Sequence, residues 1–176
     1  MRPMKTVSVF ARNAQGLIVL KDMQWGLIPA GFTGRKADWS ATTFHARLET
    51  VATTPSFRNA WAKKRRVIFP MERYFEKKKA APDLLGRRQG DARVAIVRTD
   101  DKPMGVAGIY DHANTLDGPV LSVAMLTRAP GQRMLEIHDR EPVIIEPEDW
   151  QAWLDGSDEI DLAAPWADDA FKYQAA

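Results

Sequence analysis

A single domain of the α+β class, with a mainly antiparallel, barrel-like β-core and short peripheral helices, is the architecture this chain predicts. Three observations carry that expectation. Short apolar runs with strand-like alternation recur along the chain, punctuated by Gly, Pro, Asn and Asp. Helical stretches are few and short, as expected where sheet dominates the layers. At 176 residues and 45% apolar content, the length suits one buried core.

The elements follow in order. Thr6-Val-Ser-Val-Phe10 alternates as a strand, and Leu17-Ile-Val-Leu20 follows the turn signal Asn13-Ala-Gln-Gly16, so a hairpin is expected. Gln24 to Pro29 is a short apolar segment stopped by proline, and residues 30–44 read as a loop. Pro55-Ser56 opens a short helix through Trp61, with Phe57, Ala60 and Trp61 on one side. Val67-Ile-Phe69 and Tyr74-Phe75 read as strands, and residues 80–91 as an exposed excursion. Arg93–Val97, Gly105–Tyr110 and Val120–Leu126 are the strongest strand candidates. A short helix is expected over Arg128–Leu135. Another runs from Glu146 through Leu154, where proline and acids in the first turn suit the helix dipole. Beyond Gly156 the composition turns acidic and Ala-rich. Residues 1–156 are therefore expected as the domain and 157–176 as an acidic C-terminal extension. No internal repeat is present.

Composition narrows the function. No apolar run approaches the roughly 20 residues of a membrane helix, and the first sixteen residues hold no signal-peptide core. A cytoplasmic protein, monomeric and away from membranes, is expected. The chain has no cysteine, which removes disulfides, thiolate metal sites and cysteine nucleophiles from it. No HExxH-type spacing and no Gly-rich phosphate cradle occurs, so neither metal nor cofactor is expected.

The net charge is only +2, but it is unevenly placed. Arg58 to Arg93 holds 12 Lys/Arg against 4 Asp/Glu, whereas Val94 to the end holds 6 against 16. The basic block includes Arg65, Arg66 and Lys77, and a polyanion is one partner that suits it. A solvated surface loop is the other reading of such a run.

Chemistry concentrates in Glu136-Ile-His-Asp-Arg-Glu-Pro-Val-Ile-Ile145. His138 stands among carboxylates and an arginine directly before a proline-led apolar run, which places it at the mouth of a core strand. Histidine is the side chain whose ordinary pKa allows proton traffic near neutral pH.

Four segments recur in a recognisable order: Trp25-Gly-Leu-Ile-Pro29, His45-Ala-Arg-Leu-Glu-Thr50, Arg66-Val-Ile-Phe-Pro70 running to Tyr74-Phe-Glu76, and Ile137-His-Asp-Arg140 with Pro142-Val-Ile144. Over about residues 3–155 this order resembles the SRAP family (SOS response-associated peptidase), whose pattern reads approximately WGLIP, NARxET, RCLIPxxGFYEW and IHDRMPVIL. The resemblance implies a compact domain with a curved β-core and a basic groove for single-stranded DNA. Family members recognise abasic sites, and a cysteine directly after the initiator methionine forms a thiazolidine with the open-chain sugar aldehyde. That cysteine also underlies the family's proposed self-processing and its peptidase name. A glutamate and a histidine assist by acid/base work, an asparagine positions the reacting end, and a nearby arginine holds phosphate.

Carried over by position, Glu76 and His138 match the acid/base residues and Arg47 the phosphate arginine. Their structural alternatives are a surface pairing of Glu76 with the following lysines, a turn role for His138 with Asp139, and an Arg47–Glu49 pair. Trp25 is expected either to shield an unstacked base or to pack in the core. Arg65, Arg66 and Lys77 are expected to contact DNA, while Arg140 and Glu141 read as salt-bridge partners and His112 as a loop residue. Two departures stand out. His45 occupies the asparagine's position, where a titratable ring serves as a donor or a second proton carrier. Arg2-Pro-Met-Lys-Thr-Val-Ser-Val-Phe10 aligns with a family strand, APTQ-x-VPVV, that normally follows a further N-terminal segment bearing the cysteine.

The expected function is thus binding of single-stranded and abasic-site DNA in the DNA-damage (SOS) response, at damaged DNA in the nucleoid, with cysteine crosslinking absent from this chain. A free amine still attacks an aldehyde to give a reversible imine. Two alternatives stay open: an active peptidase or DNA-crosslinking enzyme whose cysteine segment lies outside the sequence, and a non-catalytic binding module. Whether the chain is an enzyme is left undecided by its residues alone.

Overall fold

The computed structural model describes residues 5–78 and 92–176, so the excursion expected over 80–91 lies outside the described residues. Strands β1 (Thr6–Arg12) and β2 (Ile18–Trp25) form the expected hairpin, paired from Thr6↔Gln24 to Arg12↔Ile18. In the turn, the Asn13 side chain accepts the amides of Gln15 and Leu17. Gly16 takes the φ of 76° that side-chain-bearing residues avoid. The segments expected separately over 17–20 and 24–29 are joined at their first half. β2 runs unbroken to Trp25 because its end also pairs in parallel with Ser122 and Val123.

Next come β3 (His45–Arg47), helix α1 (Arg58–Ala62), β4 (Arg66–Met71), β5 (Arg73–Lys78), β6 (Ala92–Arg98), β7 (Met104–Thr115) and β8 (Gly118–Arg128). The chain continues with α2 (Gln132–Leu135), β9 (Glu141–Pro142), β10 (Ile144–Ile145), α3 (Trp150–Leu154) and β11 (Phe171–Ala175). α2 is shorter than expected because Arg128 stays in β8 and Pro130 intervenes. His112, expected in a loop, is an exposed residue of β7.

An eight-stranded sheet carries the fold, in the order β10-β7-β4-β1-β2-β8-β3, with β9 beside β8. β7 also pairs with β8, so β7, β4, β1, β2 and β8 close into a ring. All pairings are antiparallel except those of β2 and β3 with β8. A three-stranded sheet, β11-β6-β5, packs beside the ring. The α+β expectation with a curled, mainly antiparallel core is met.

β4 shows how the two packing regions share one strand. Val67 and Phe69 face a cluster with Met104, Val123, Met134 and Ile96 that joins the ring to the small sheet. Ile68 faces the opposite cluster of Leu27, Ile109, Leu126 and Trp153. Such two-sided burial explains why the strand reads as a continuous apolar run. Gly105 has no side chain because the Trp150 indole lies where its Cβ would stand.

Residues 157–176, expected as an acidic extension outside the domain, instead return to it. β11 pairs with β6 from Phe171↔Arg98 to Ala175↔Val94, and Phe171 is buried. Trp166 stacks on Phe171, and Arg128 donates to the Leu162 and Ala164 carbonyls. Asp158, Glu159, Asp161 and Asp169 of this segment are exposed, while Asp168 accepts the Arg133 amide and the few aromatics anchor the segment. Among the described residues, no helix is long and apolar enough to cross a membrane.

Candidate active site and its arginine rim

A cavity of about 950 Å³ opens where the ring meets the small sheet. Trp25, His45, Arg47, Glu76 and His138, singled out from separate sequence segments, all line it. They arrive from four separate segments, with His45 and Arg47 sharing one. Trp25 ends β2, His45 and Arg47 flank buried Ala46 on β3, and Glu76 lies on β5. His138 follows α2, where its amide donates to the Met134 carbonyl at 2.9 Å.

Alternation along β5 turns half-buried Tyr74 and Glu76 inward and leaves Arg73, Phe75 and Lys77 exposed on the opposite face. Tyr74 donates its hydroxyl to the Met134 sulfur, tying β5 to the helix that precedes His138. Burial raises the Glu76 carboxyl above its ordinary pKa, against the opposing pull of His138. The His138 Nε2 lies 3.9 Å from Glu76 Oε2, an approach longer than a hydrogen bond. The Arg140 amide donates to His138 Nδ1 at 3.1 Å. The Arg140 carbonyl lies 3.2 Å from the same nitrogen, so Nδ1 meets an acceptor as well as a donor, and Nε2 is the nitrogen that faces Glu76. Asp139 Oδ1, 3.2 Å from Nδ1, is available when the ring gains a second proton.

His45 packs edge-on against Trp25, with ring centres 5.8 Å apart. Desolvation first, and then the His138 charge, hold its pKa below the ordinary imidazole value. Trp25 is itself fixed, since its indole N–H donates to the Phe44 carbonyl at 3.0 Å.

Arg47 has no ion-pair partner among the described residues. Its expected rival pairing is taken elsewhere, because Glu49 receives both Arg140 terminal nitrogens at 2.8 Å. Arg140 also donates to the Thr127 carbonyl, so this fork fastens the Arg47 segment to the His138 segment. Glu141 pairs with buried Arg128. Both residues thus hold structure, as their sequence context suggested.

The three cations expected to contact DNA lie outside the cavity lining. Arg66 is buried, with its guanidinium 3.9 Å from the Trp61 ring centre and 4.7 Å from that of Trp153. Burial lowers its pKa to about 10. Arg65 pairs with the fully buried carboxylate of Asp111. Neither lines the cavity. Lys77 is exposed but lies on the outer face of β5, away from Glu76. The rim instead carries Arg73 and Arg93, with Phe75 between them. The surplus of positive charge over residues 58–93 hinted at these two, but only the β5–β6 register brings Arg93 beside Phe75. No group of three His, Cys, Asp or Glu among the described residues could hold a metal ion.

The Glu49–Arg140 fork predicts a pH effect. Arg140's hydrogen bonds hold the Glu49 carboxyl at about 2. Its unfolded value is near 4.5, so the stabilisation is complete above that pH and fades between 4.5 and 2. Melting temperatures of the wild type and Glu49→Gln should differ at neutral pH and converge as pH falls through this window. A constant difference down to pH 2 would contradict the fork.

A closed β-ring thus brings an imidazole and a desolvated carboxyl together in an arginine-rimmed cavity. The chain belongs to the SOS response associated peptidase (SRAP) family, whose model matches residues 1–175. It is 33% identical over 136 residues to the abasic site processing protein YobE of Bacillus subtilis, covering 77% of this chain and 58% of that protein. It is 34% identical over 140 residues to the abasic site processing protein YMR114C of Saccharomyces cerevisiae, covering 76% of this chain and 34% of that one. A crystal structure of a protein from Bordetella bronchiseptica superposes with a TM-score of 0.82 at 26% identity, covering all of this chain and 86% of that one. The chain spans little more than half the length of YobE and less of YMR114C.

Proposed function

We propose that this chain binds single-stranded DNA at abasic sites, with the sugar in the cavity and its open-chain aldehyde between Glu76 and His138. The observation that carries the reading is the convergence on one cavity of Glu76, His138, His45 and Trp25 with Arg47, which has no ion-pair partner among the described residues. The names of the relatives YobE and YMR114C, both abasic site processing proteins, support it. Arg47 meets a phosphate flanking the missing base, and Trp25 offers an apolar surface where that base would have been.

Glu76 and His138 then work on the sugar. When an amine nitrogen adds to the aldehyde carbon, one proton must leave nitrogen and another must reach the departing hydroxyl as water. Glu76, whose carboxyl pKa burial raises above its ordinary value, supplies the acid, and His138 accepts and returns the nitrogen's proton. His45 is a second proton carrier beside them. We assign no cysteine step to this chain, which contains none. Its place of action in this reading is damaged DNA of the SOS response, in the cytoplasm.

Titration with single-stranded DNA carrying one abasic site, at two salt concentrations, tests the binding. Affinity should fall as salt rises, and Arg47→Ala should weaken binding at both salts while reducing the logarithmic slope by about one. Salt-insensitive binding, equal to that of a neutral polymer, would sink the proposal.

A further inference from the structure

The outer face of the small sheet is unusual in its side chains. Strand alternation and register place Arg73, Phe75 and Lys77 of β5 beside Arg93, Ala95 and Val97 of β6 and Lys172 and Gln174 of β11. No carboxylate occupies any of these positions, and among the described residues Lys172 alone of the four cations has an ion-pair partner, Asp101 beyond the face. At its centre Phe75 is 42% exposed, an unusual setting for a ring of that size. The Arg93 guanidinium lies 3.9 Å from the ring centre. A flat aromatic ring and a flat guanidinium thus sit together on an open sheet, flanked by Arg73 and Lys77.

Such a face suits a flat, anionic partner. A nucleobase stacks on either the ring or the guanidinium plane, and its phosphate meets the flanking cations. A protein segment would meet no acceptor-rich or apolar groove here, only one aromatic among cations. The face is also continuous with the cavity, because Arg73, Phe75 and Arg93 form part of its mouth.

We propose that this face is a second nucleotide subsite, which stacks the base of a nucleotide adjoining the one held in the cavity. The inference rests on the reading of the cavity as an abasic-DNA site. It gives Lys77 a role in DNA binding on a face separate from Glu76, and it makes Phe75 a determinant of how much flanking strand the protein needs.

The test compares two fluorescent probes: an abasic deoxyribose phosphate with no neighbouring nucleotide, and a strand of about nine nucleotides with a central abasic site. Lengthening should raise wild-type affinity by about tenfold, the scale of one stacked base. Phe75→Leu and Arg93→Ala should each remove most of that gain, and Phe75→Trp should keep it. A thermal melt of each variant confirms that it is folded. A nucleotide analogue that fluoresces when unstacked, placed beside the abasic site, should be quenched on the wild type and on Phe75→Trp but not on Phe75→Leu. If the gain from length survives intact in both Phe75→Leu and Arg93→Ala, the subsite is overturned, while an Arg47→Ala loss on both probes would leave the cavity reading standing. If the wild type binds neither probe, both proposals fall together.

Discussion

Glu76→Gln and His138→Ala should each slow borohydride-trappable adduct formation with abasic single-stranded DNA by about a hundredfold, the lower end of what a positioned acid or base supplies. Both changes should act mainly on rate, so the loss in trapping must exceed any loss of affinity measured on the same strand. The two groups face one another at 3.9 Å and serve one proton inventory. The double variant should therefore fall little below the worse single one, since residues that act as a unit are not additive. The pH profile separates their roles. Burial raises the Glu76 pKa, so its acid form persists to higher pH than an ordinary carboxyl. The rate limb that falls as pH rises through that value should disappear in Glu76→Gln. Unaltered trapping in both variants would reduce the two residues to structural parts of the wall.

What the sequence disclosed about this site, and what it hid, has a simple physical basis. Glu76, His138, His45, Arg47 and Trp25 were legible because each stands in a short segment of recognisable order, and the fold brings those segments to one cavity. Arg65 and Arg66 were misplaced because a run of cations states charge and not direction. β4 begins at Arg66 and turns it between two indoles, one of them Trp153 from the far end of the chain. Arg65 meets a carboxylate on β7 that no local pattern connects to it. The strand near the C-terminus was hidden for the opposite reason. Its surroundings are acidic and Ala-rich, and only Phe171 and its pairing with β6 reveal it as part of the domain. Arg93 and Phe75 required the cross-strand register, which composition does not contain.

Asp111→Ala should cost about 3–5 kcal/mol of folding stability, the range for breaking a buried charge pair from one side. Asp111 is fully buried on β7. It accepts the Ala30 amide at 3.0 Å and the Asn59 amide nitrogen at 3.2 Å, in addition to pairing with Arg65. One carboxylate therefore joins the segment after β2, helix α1 and the approach to β4. Truncation leaves a half-buried guanidinium and three amide donors, that of His112 included, without their acceptor, and each of these is costly away from water. For a chain of this size the melting temperature should drop by roughly 10 °C. The site should feel it too, because the Ala30 bond anchors the strand exit that follows Trp25, alongside the bond from the Ile28 amide to Ser122. Urea unfolding distinguishes the ion pair from the hydrogen bonds. Asp111→Asn keeps an acceptor for Ala30 but strands Arg65, so combining it with Arg65→Met should recover much of the loss at unchanged m-value. If the combined variant recovers nothing, the bonds to Ala30 and Asn59, rather than the charge on Arg65, are what Asp111 contributes.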